Sequence, residues 1–268
     1  MAIAITIQME GWESPEWVRD QLAPNMPGVD TMVKADGVGA DVRIARLKAT
    51  AAAREIAEYC QLYVLREHRD ARVYAEQQKK GEWRVYAPRL TTAVSVAVLG
   101  LGHIGGLIAR RFAAMDYRTI GWSRTQKDID GVECFAGEDA LAGVLATADF
   151  VISILPSTPD TRGLMNTETL SHFKEGSTLI NVGRGDLVVD GDLLAALDTG
   201  NLAHAVLDVQ NTEPLPAGHA YWDHAQVTIT PHISGWNVID GLDDIVENYR
   251  RMETGEELLH QVDRSAGY

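Results

Sequence analysis

The chain has 268 residues, 46% of them hydrophobic and 23% charged, the composition of one or two globular domains rather than of a disordered segment. Acidic residues outnumber basic ones 38 to 24, a formal net charge of −14, which repels a phosphate backbone and excludes nucleic-acid binding through a basic face. Two cysteines, Cys60 and Cys134, are too few for a disulfide framework or a zinc site; no metal is expected, and free thiols suit a reducing cytoplasm.

Residues 1–8 are apolar but short, have no basic residue ahead of them, and run straight into Glu10 and Glu13, which argues against a signal peptide. Within them 3–8 reads as a strand, followed by a helix over 15–22, after which the pattern thins. Residues 51–80 read as one long helix stopped by Gly81, with Ile56, Tyr59, Cys60, Tyr63 and Val64 along one stripe. Subtracting that helix leaves the first 50 residues, at the lower edge of what holds a core alone. They must lean on the tail after Trp236 or on a second subunit. The expected division is therefore a small domain of 1–50 with about 236–268, and a larger one of 51–235.

From residue 90 the pattern changes. The stretch 90–109 lacks formal charge, but its four glycines and His103 fit a strand, a tight turn and a helix better than a membrane span. Strand-like runs at 94–99, 118–122, 150–155, 177–182, 203–209 and 226–230 alternate with helical spacing at 104–115 and 138–146. A further helix has Asp190 placed as its N-cap and Gly200 as its stop. Continuous apolar strands alternating with helices indicate a parallel sheet covered on both faces, a doubly wound α/β domain.

Gly100-Leu101-Gly102-His103-Ile104-Gly105 is a G-x-G-x-x-G between a strand and a helix. The first glycine permits the tight turn, the second lets a pyrophosphate approach the backbone, and the third lets helix pack on strand. An ordinary glycine-rich turn is the alternative, and the strand–turn–helix context favours dinucleotide binding over it. The next strand ends in Ser123-Arg124 with Lys127 close by, and no Asp or Glu lies between Tyr117 and Lys127. A hydroxyl and a guanidinium there suit a ribose 2′-phosphate, so NADPH is expected over NADH; plain solvation of Arg124 and Lys127 is the alternative.

Three further segments fall where the C-terminal edges of the sheet should lie. Arg184 follows one strand and is suited to bind a carboxylate in bidentate fashion; glycines on either side of it suggest close backbone approach to a ligand. His232, after the last strand, can move a proton near neutral pH, and Glu213 can bond its other nitrogen and favour the protonated form. Each is weak alone: a lone histidine after a strand is usually structural, and Glu213-Pro214 also reads as a simple turn. His68, His172, His204, His219, His224 and His260 read as loop or polar-face residues with no assigned role.

Taken together, Val98 to Gly105, Trp122-Ser123-Arg124, Leu155-Pro156-Ser157-Thr158-Pro159-Asp160-Thr161-Arg162-Gly163, Asn181 to Gly185, Leu207-Asp208-Val209 with Thr212 to Pro216, Thr230 to Ile233 and the ending 262–268 resemble the D-2-hydroxyacid dehydrogenase family, most closely its glyoxylate/hydroxypyruvate reductase A branch. The resemblance runs from about Glu58 to the C-terminus. It implies Arg184 as the substrate-orienting arginine, His232 as acid/base and Glu213 as its partner, with cofactor contacts from Leu155, Pro156, Thr161, Val182, Gly183 and Asp208. It also implies that a loop like 37–41 binds a substrate carboxylate through the Val38 and Gly39 amides, and that the long helix forms a homodimer, burying its apolar stripe. Family members carry further strand–helix units on both sides of that loop, whereas here Asp30 runs almost directly into it, so the second domain is expected to be an abbreviated flavodoxin-like α/β unit.

The implied activity is reduction of a small 2-oxoacid, glyoxylate or hydroxypyruvate, by NADPH. A protein that binds NADPH without turnover is the competing reading, favoured by the short first domain and opposed by the complete set of Arg184, Glu213 and His232. A purely structural module has only the long helix in its favour.

Overall fold

The computed structural model describes residues 2–5, 24, 30–33, 45, 50–237 and 239–261. The expected helix over 15–22, the loop with Val38 and Gly39, and the ending 262–268 lie outside the described residues. The chain divides into two compact units, Met1–Ala52 with Asn237–Tyr268, and Ala53–Trp236. In the first, β1 (Ala2–Ile5) pairs in parallel with β2 (Asp30–Val33), and Ala45 bridges to Gln261 in antiparallel sense.

The stretch expected as one helix is two. α1 (Thr50–His68) ends where Asp70 adopts a left-handed backbone (φ 53°), and α2 (Ala71–Lys80) then runs to Gly81 (φ 66°), whose N–H bonds back to carbonyls of the last turn. Part of the apolar stripe is taken up within the chain itself. Cys60 and Val64, with Ala57, are buried in the chain's own core, while Ile56, Tyr59 and Tyr63 pack against it and stay partly exposed. At the end of α1, His68 Nε2 lies 2.9 Å from the Arg89 carbonyl, to which it can only donate, leaving Nδ1 to accept from Tyr117 Oη at 2.7 Å.

β3 (Ser95–Leu99), α3 (His103–Ala113), β4 (Arg118–Ser123), β5 (Val132–Ala136), α4 (Glu138–Thr147), β6 (Phe150–Ser153), α5 (Thr167–Ser171), β7 (Ser177–Asn181), α6 (Asp190–Asp198), β8 (Leu202–Leu207) and β9 (Val227–Ile229) follow. The seven strands form one parallel sheet in the order β5-β4-β3-β6-β7-β8-β9. Side-chain alternation divides the core between its two faces. Val96, Val98, Ile152, Ile180 and Val206 pack under α1 and α3 with Phe112, while Ala97, Leu99, Val151, Leu179, Ala205 and Leu207 pack under α4 and α6. The expected strands of this sheet appear within two residues of the predicted limits, 150–155 and 203–209 each ending two residues earlier. β5 is additional: a short edge strand whose residues alternate between half-buried and exposed shows no continuous apolar run. Asp190 is the first helical residue of α6 rather than its N-cap; that place is Val189's. α7 (Leu242–Thr254) belongs to the smaller unit and ends at Gly255 (φ 78°). No helix among the described residues is long and apolar enough to cross a membrane.

One polar cluster ties the start of the sheet together. The Asp149 carboxylate accepts from Arg89 at 2.9 and 3.2 Å, Lys174 at 2.7 Å, and the Ser95 N–H and hydroxyl at 2.8 and 2.9 Å. Burial alone would raise its pKa, but these bonds outweigh it and hold the carboxyl well below the usual range. Exposed pairs such as Arg118–Glu133 contribute at most about 1 kcal/mol. A carboxyl held below its unfolded value of about 3.9 stabilises the fold above that pH, and the contribution disappears as the pH falls toward the folded value. Asp149→Asn is therefore expected to lower the unfolding free energy by about 1–3 kcal/mol at neutral pH, with the gap to wild type closing in acid. Urea midpoints that coincide at neutral pH would refute this.

Candidate active site

The sheet order reverses at β3, whose neighbours β4 and β6 are reached by crossovers on opposite sides, and such a reversal leaves a crevice at the carboxyl ends of the strands. The glycine turn occupies this point. Gly100 takes φ 102° and packs on the Ile154 carbonyl, and a Cβ at Gly105 would lie 1.7 Å from the Gly100 oxygen, so helix and strand approach as only glycine allows. A Cβ at Gly102 would meet nothing within 4 Å, and no side chain caps the first turn of α3. The turn thus has an open outer face and uncapped N–H groups at its helix start, which fits a pyrophosphate. His103 is exposed and Ile104 half-buried beside it.

At the end of β4, the Ser123 hydroxyl is buried and donates to the Thr125 carbonyl at 2.8 Å, so its proton is already committed. Arg124 and Lys127 are exposed, with no ion pair among the described residues. After β6, Leu155 is buried and Pro156 exposed. The Thr161 hydroxyl closes this loop on itself, donating to the Pro156 carbonyl at 2.5 Å and accepting from the Thr158 N–H at 2.8 Å. Val182 lies in the core, and the Gly183 N–H is held by Asn181 Oδ1 at 3.1 Å.

Arg184 projects exposed from between its two glycines. Its Nη1 donates to the Gly183 carbonyl at 2.7 Å, and among the described residues no carboxylate pairs with it. The glycines serve packing rather than a ligand. A Cβ at Gly183 would lie 2.6 Å from the Leu155 oxygen, and one at Gly185 would lie 2.0 Å from the Gln210 carbonyl. The backbone on either side of Arg184 is thereby packed against the loops carrying Leu155 and Gln210.

The histidine turn is built on Asp208. This carboxylate, 0% exposed at the end of β8, accepts from the Thr230 hydroxyl at 2.5 Å and from the Ile233 and Ser234 N–H groups at 2.9 Å each. The Asp208 carbonyl receives the His232 N–H at 2.9 Å, and His232 itself takes φ 53°. His232 Nδ1 stands 2.8 Å from Glu213 Oε2, both side chains about one-third exposed, while Glu213 Oε1 accepts the Gln210 N–H at 2.9 Å. A carboxylate only accepts, so Nδ1 carries the hydrogen and Nε2 is the nitrogen Glu213 leaves unengaged. The loop bearing Glu213 is pinned in turn: Asp190 accepts from Asn211 at 2.8 Å and Tyr221 at 3.0 Å. Sequence reading missed Tyr59, whose hydroxyl lies 2.6 Å from Thr230 Oγ1, because partners 171 positions apart leave no local signal.

His204 departs from the loop or polar-face position expected of it. It sits buried in β8, where Nε2 accepts from Arg66 at 3.0 Å, and burial pushes its imidazole down to about 4, the nearby Arg72 and Arg66 charges adding to the effect against Glu67.

A dinucleotide turn at the switch point, with a histidine–carboxylate pair and a carboxylate-competent arginine at the same edge of the sheet, defines a pyridine-nucleotide oxidoreductase. Residues 62–234 match the D-isomer specific 2-hydroxyacid dehydrogenase, NAD binding domain. The chain is 38% identical over 247 residues to glyoxylate/hydroxypyruvate reductase A of Serratia proteamaculans, covering 90% of this chain and 79% of the relative. A D-isomer specific 2-hydroxyacid dehydrogenase from Xanthobacter autotrophicus Py2, solved with NADPH and MES, is 42% identical with a TM-score of 0.82, covering 85% of this chain and 95% of that one. An NADPH-dependent glyoxylate/hydroxypyruvate reductase from Sinorhizobium meliloti, solved with NADP and sulfate, superposes with a TM-score of 0.89 at 28% identity, over 100% and 99% of the two chains. The chain belongs to the D-isomer specific 2-hydroxyacid dehydrogenase family, oxidoreductases acting on CH–OH donors.

The two glycines of the turn should behave oppositely. Gly105→Ala, driving a Cβ into the Gly100 carbonyl, is expected to lose at least about 2 kcal/mol of stability, whereas Gly102→Ala should stay within about 1 kcal/mol of wild type. Denaturant midpoints check both.

Proposed function

We propose that this protein reduces glyoxylate and hydroxypyruvate to the corresponding 2-hydroxyacids with NADPH. The observation that carries the reading is the His232–Glu213 pair at 2.8 Å, on a turn anchored at the same sheet edge as an arginine without a carboxylate partner among the described residues. Bound NADPH supplies the hydride that reaches the carbonyl carbon. Gly100, Gly102, His103, Ile104 and Gly105 would hold its pyrophosphate, and Arg124 with Lys127 would meet a 2′-phosphate; the complexes of the relatives with NADPH and NADP support this choice. Leu155, Pro156, Thr161, Val182 and Gly183 would form the adjoining wall.

Arg184 orients the substrate by pairing with its carboxylate. His232, with Nδ1–H donated to Glu213, delivers a proton from Nε2 to the carbonyl oxygen as negative charge develops there, and is reprotonated from solvent. Glu213 fixes the ring and stabilises the imidazolium.

The assembly we propose is a homodimer in the cytoplasm, where Cys60 and Cys134 remain free thiols. Since Cys60 and Val64 of the α1 stripe are buried internally, the dimer would draw on apolar groups the larger unit leaves outside: Leu62, Tyr74, and the irregular arm 81–90, on which Trp83 is 96% exposed alongside Val85 and Leu90. A monomer at micromolar concentration in light scattering would remove this assignment.

NADPH absorbance should fall on addition of glyoxylate or hydroxypyruvate, with NADH a poorer reductant. His232→Ala is expected to lower kcat by about 10²–10⁴-fold. Arg124→Ala should raise the KM for NADPH roughly tenfold to a hundredfold while sparing NADH. NADPH binding by fluorescence without turnover would overturn the reductase in favour of a binding protein.

A further inference from the structure

The proton path of His232 accounts for Glu213, but the turn that carries His232 has a second attachment that the reaction does not explain. α1 hydrogen-bonds residues 230–236 at two points. Tyr59 Oη is 2.6 Å from Thr230 Oγ1, and one helical turn earlier Glu55 Oε2 accepts the Trp236 N–H at 2.7 Å. The two contacts bracket His232 at the two ends of its segment.

Hydrogen count fixes the direction of the first contact. Asp208 Oδ1 only accepts, so the single Thr230 hydroxyl proton goes to it, and Thr230 Oγ1 must accept from Tyr59. The chain therefore runs Tyr59 O–H to Thr230 O–H to the Asp208 carboxylate, which also holds the Ile233 and Ser234 amides. Burial, with a smaller push from Asp208, moves the Tyr59 hydroxyl well above the ordinary phenol range, so it keeps the proton it donates. A buried carboxylate is held best when each donor is itself polarised and oriented, and His232 sits at φ 53°, where an L residue stays only if its surroundings over-determine it.

The geometry points to Tyr59 as a positioning residue: through Thr230 and Asp208 it holds the left-handed turn that aims His232, making α1 part of the active-site scaffold. This rests on the reductase reading for its catalytic consequence, but the anchoring itself is testable without turnover. Tyr59→Phe keeps the ring against the core and removes only the hydroxyl, and Thr230→Val removes the relay at equal shape.

Steady-state kinetics of Tyr59→Phe should show kcat lowered roughly threefold to tenfold, the net weight of one neutral hydrogen bond, with the KM for NADPH unchanged. Thr230→Val should cost more, and adding Tyr59→Phe to it should cost nothing further, since the hydroxyl has lost the group it acts through. Amide hydrogen exchange should rise at Ile233 and Ser234 in Tyr59→Phe while Val96 and Val98 in β3 keep their protection. Unchanged kcat in Tyr59→Phe, effects that multiply in the double variant, or exchange that rises equally across the sheet would each overturn the proposal. A wild type that oxidises no NADPH, with exchange still raised only at the turn, would sink the reductase reading and leave the anchor standing.

Discussion

A carboxylate removed from water must find donors, and Asp208 finds three in a segment that starts 22 residues further along the chain. That requirement shapes the whole catalytic edge. Since Asp208 directly follows β8, one strand in from the edge, its oxygens are as fixed as the sheet, and a hydroxyl and two amides that must reach them leave the chain from Thr230 to Ser234 little choice of path. His232 is what lies on that path, and its left-handed backbone follows from the closure of the turn.

The sheet provides the rigid reference for every other part of the site. Strand alternation sends one set of apolar side chains to α1 and α3 and the other to α4 and α6, and burying both sets locks the strands in register. Parallel strands put all their carboxyl ends on one edge. The glycine turn after β3, the loop after β6, Arg184 after β7, Asp208 after β8 and His232 after β9 come together there although 132 positions separate Gly100 from His232. Proximity among these groups is a property of topology, which no pair of them secures alone.

Within that edge the loops hold one another by backbone contact. Gly183 and Gly185 let the segment bearing Arg184 press against Leu155 and Gln210, and Gln210 in turn gives its N–H to Glu213. The arginine, the carboxylate partner of the histidine and the wall after β6 thus share a single packed junction. A shift in one loop is transmitted to the others through contacts too close to absorb it.

The parallel sheet, the limits of every strand but β5, and the glycine turn were legible along the chain because each depends on local chemistry: apolar runs and the freedom of glycine at positive φ. Arg184, Glu213 and His232 were legible as residue types after strands. The break at Asp70 and the burial of Cys60 and Val64 in the chain's own core were not, since amphipathic spacing states that a face will be covered and leaves the covering partner open. Nor were Ser123 spent on Thr125, Thr161 spent on its own loop, or Tyr59 reaching Thr230. Those are settled by which polar atoms meet once distant segments pack, where a buried hydrogen must go to whichever acceptor the fold has placed beside it.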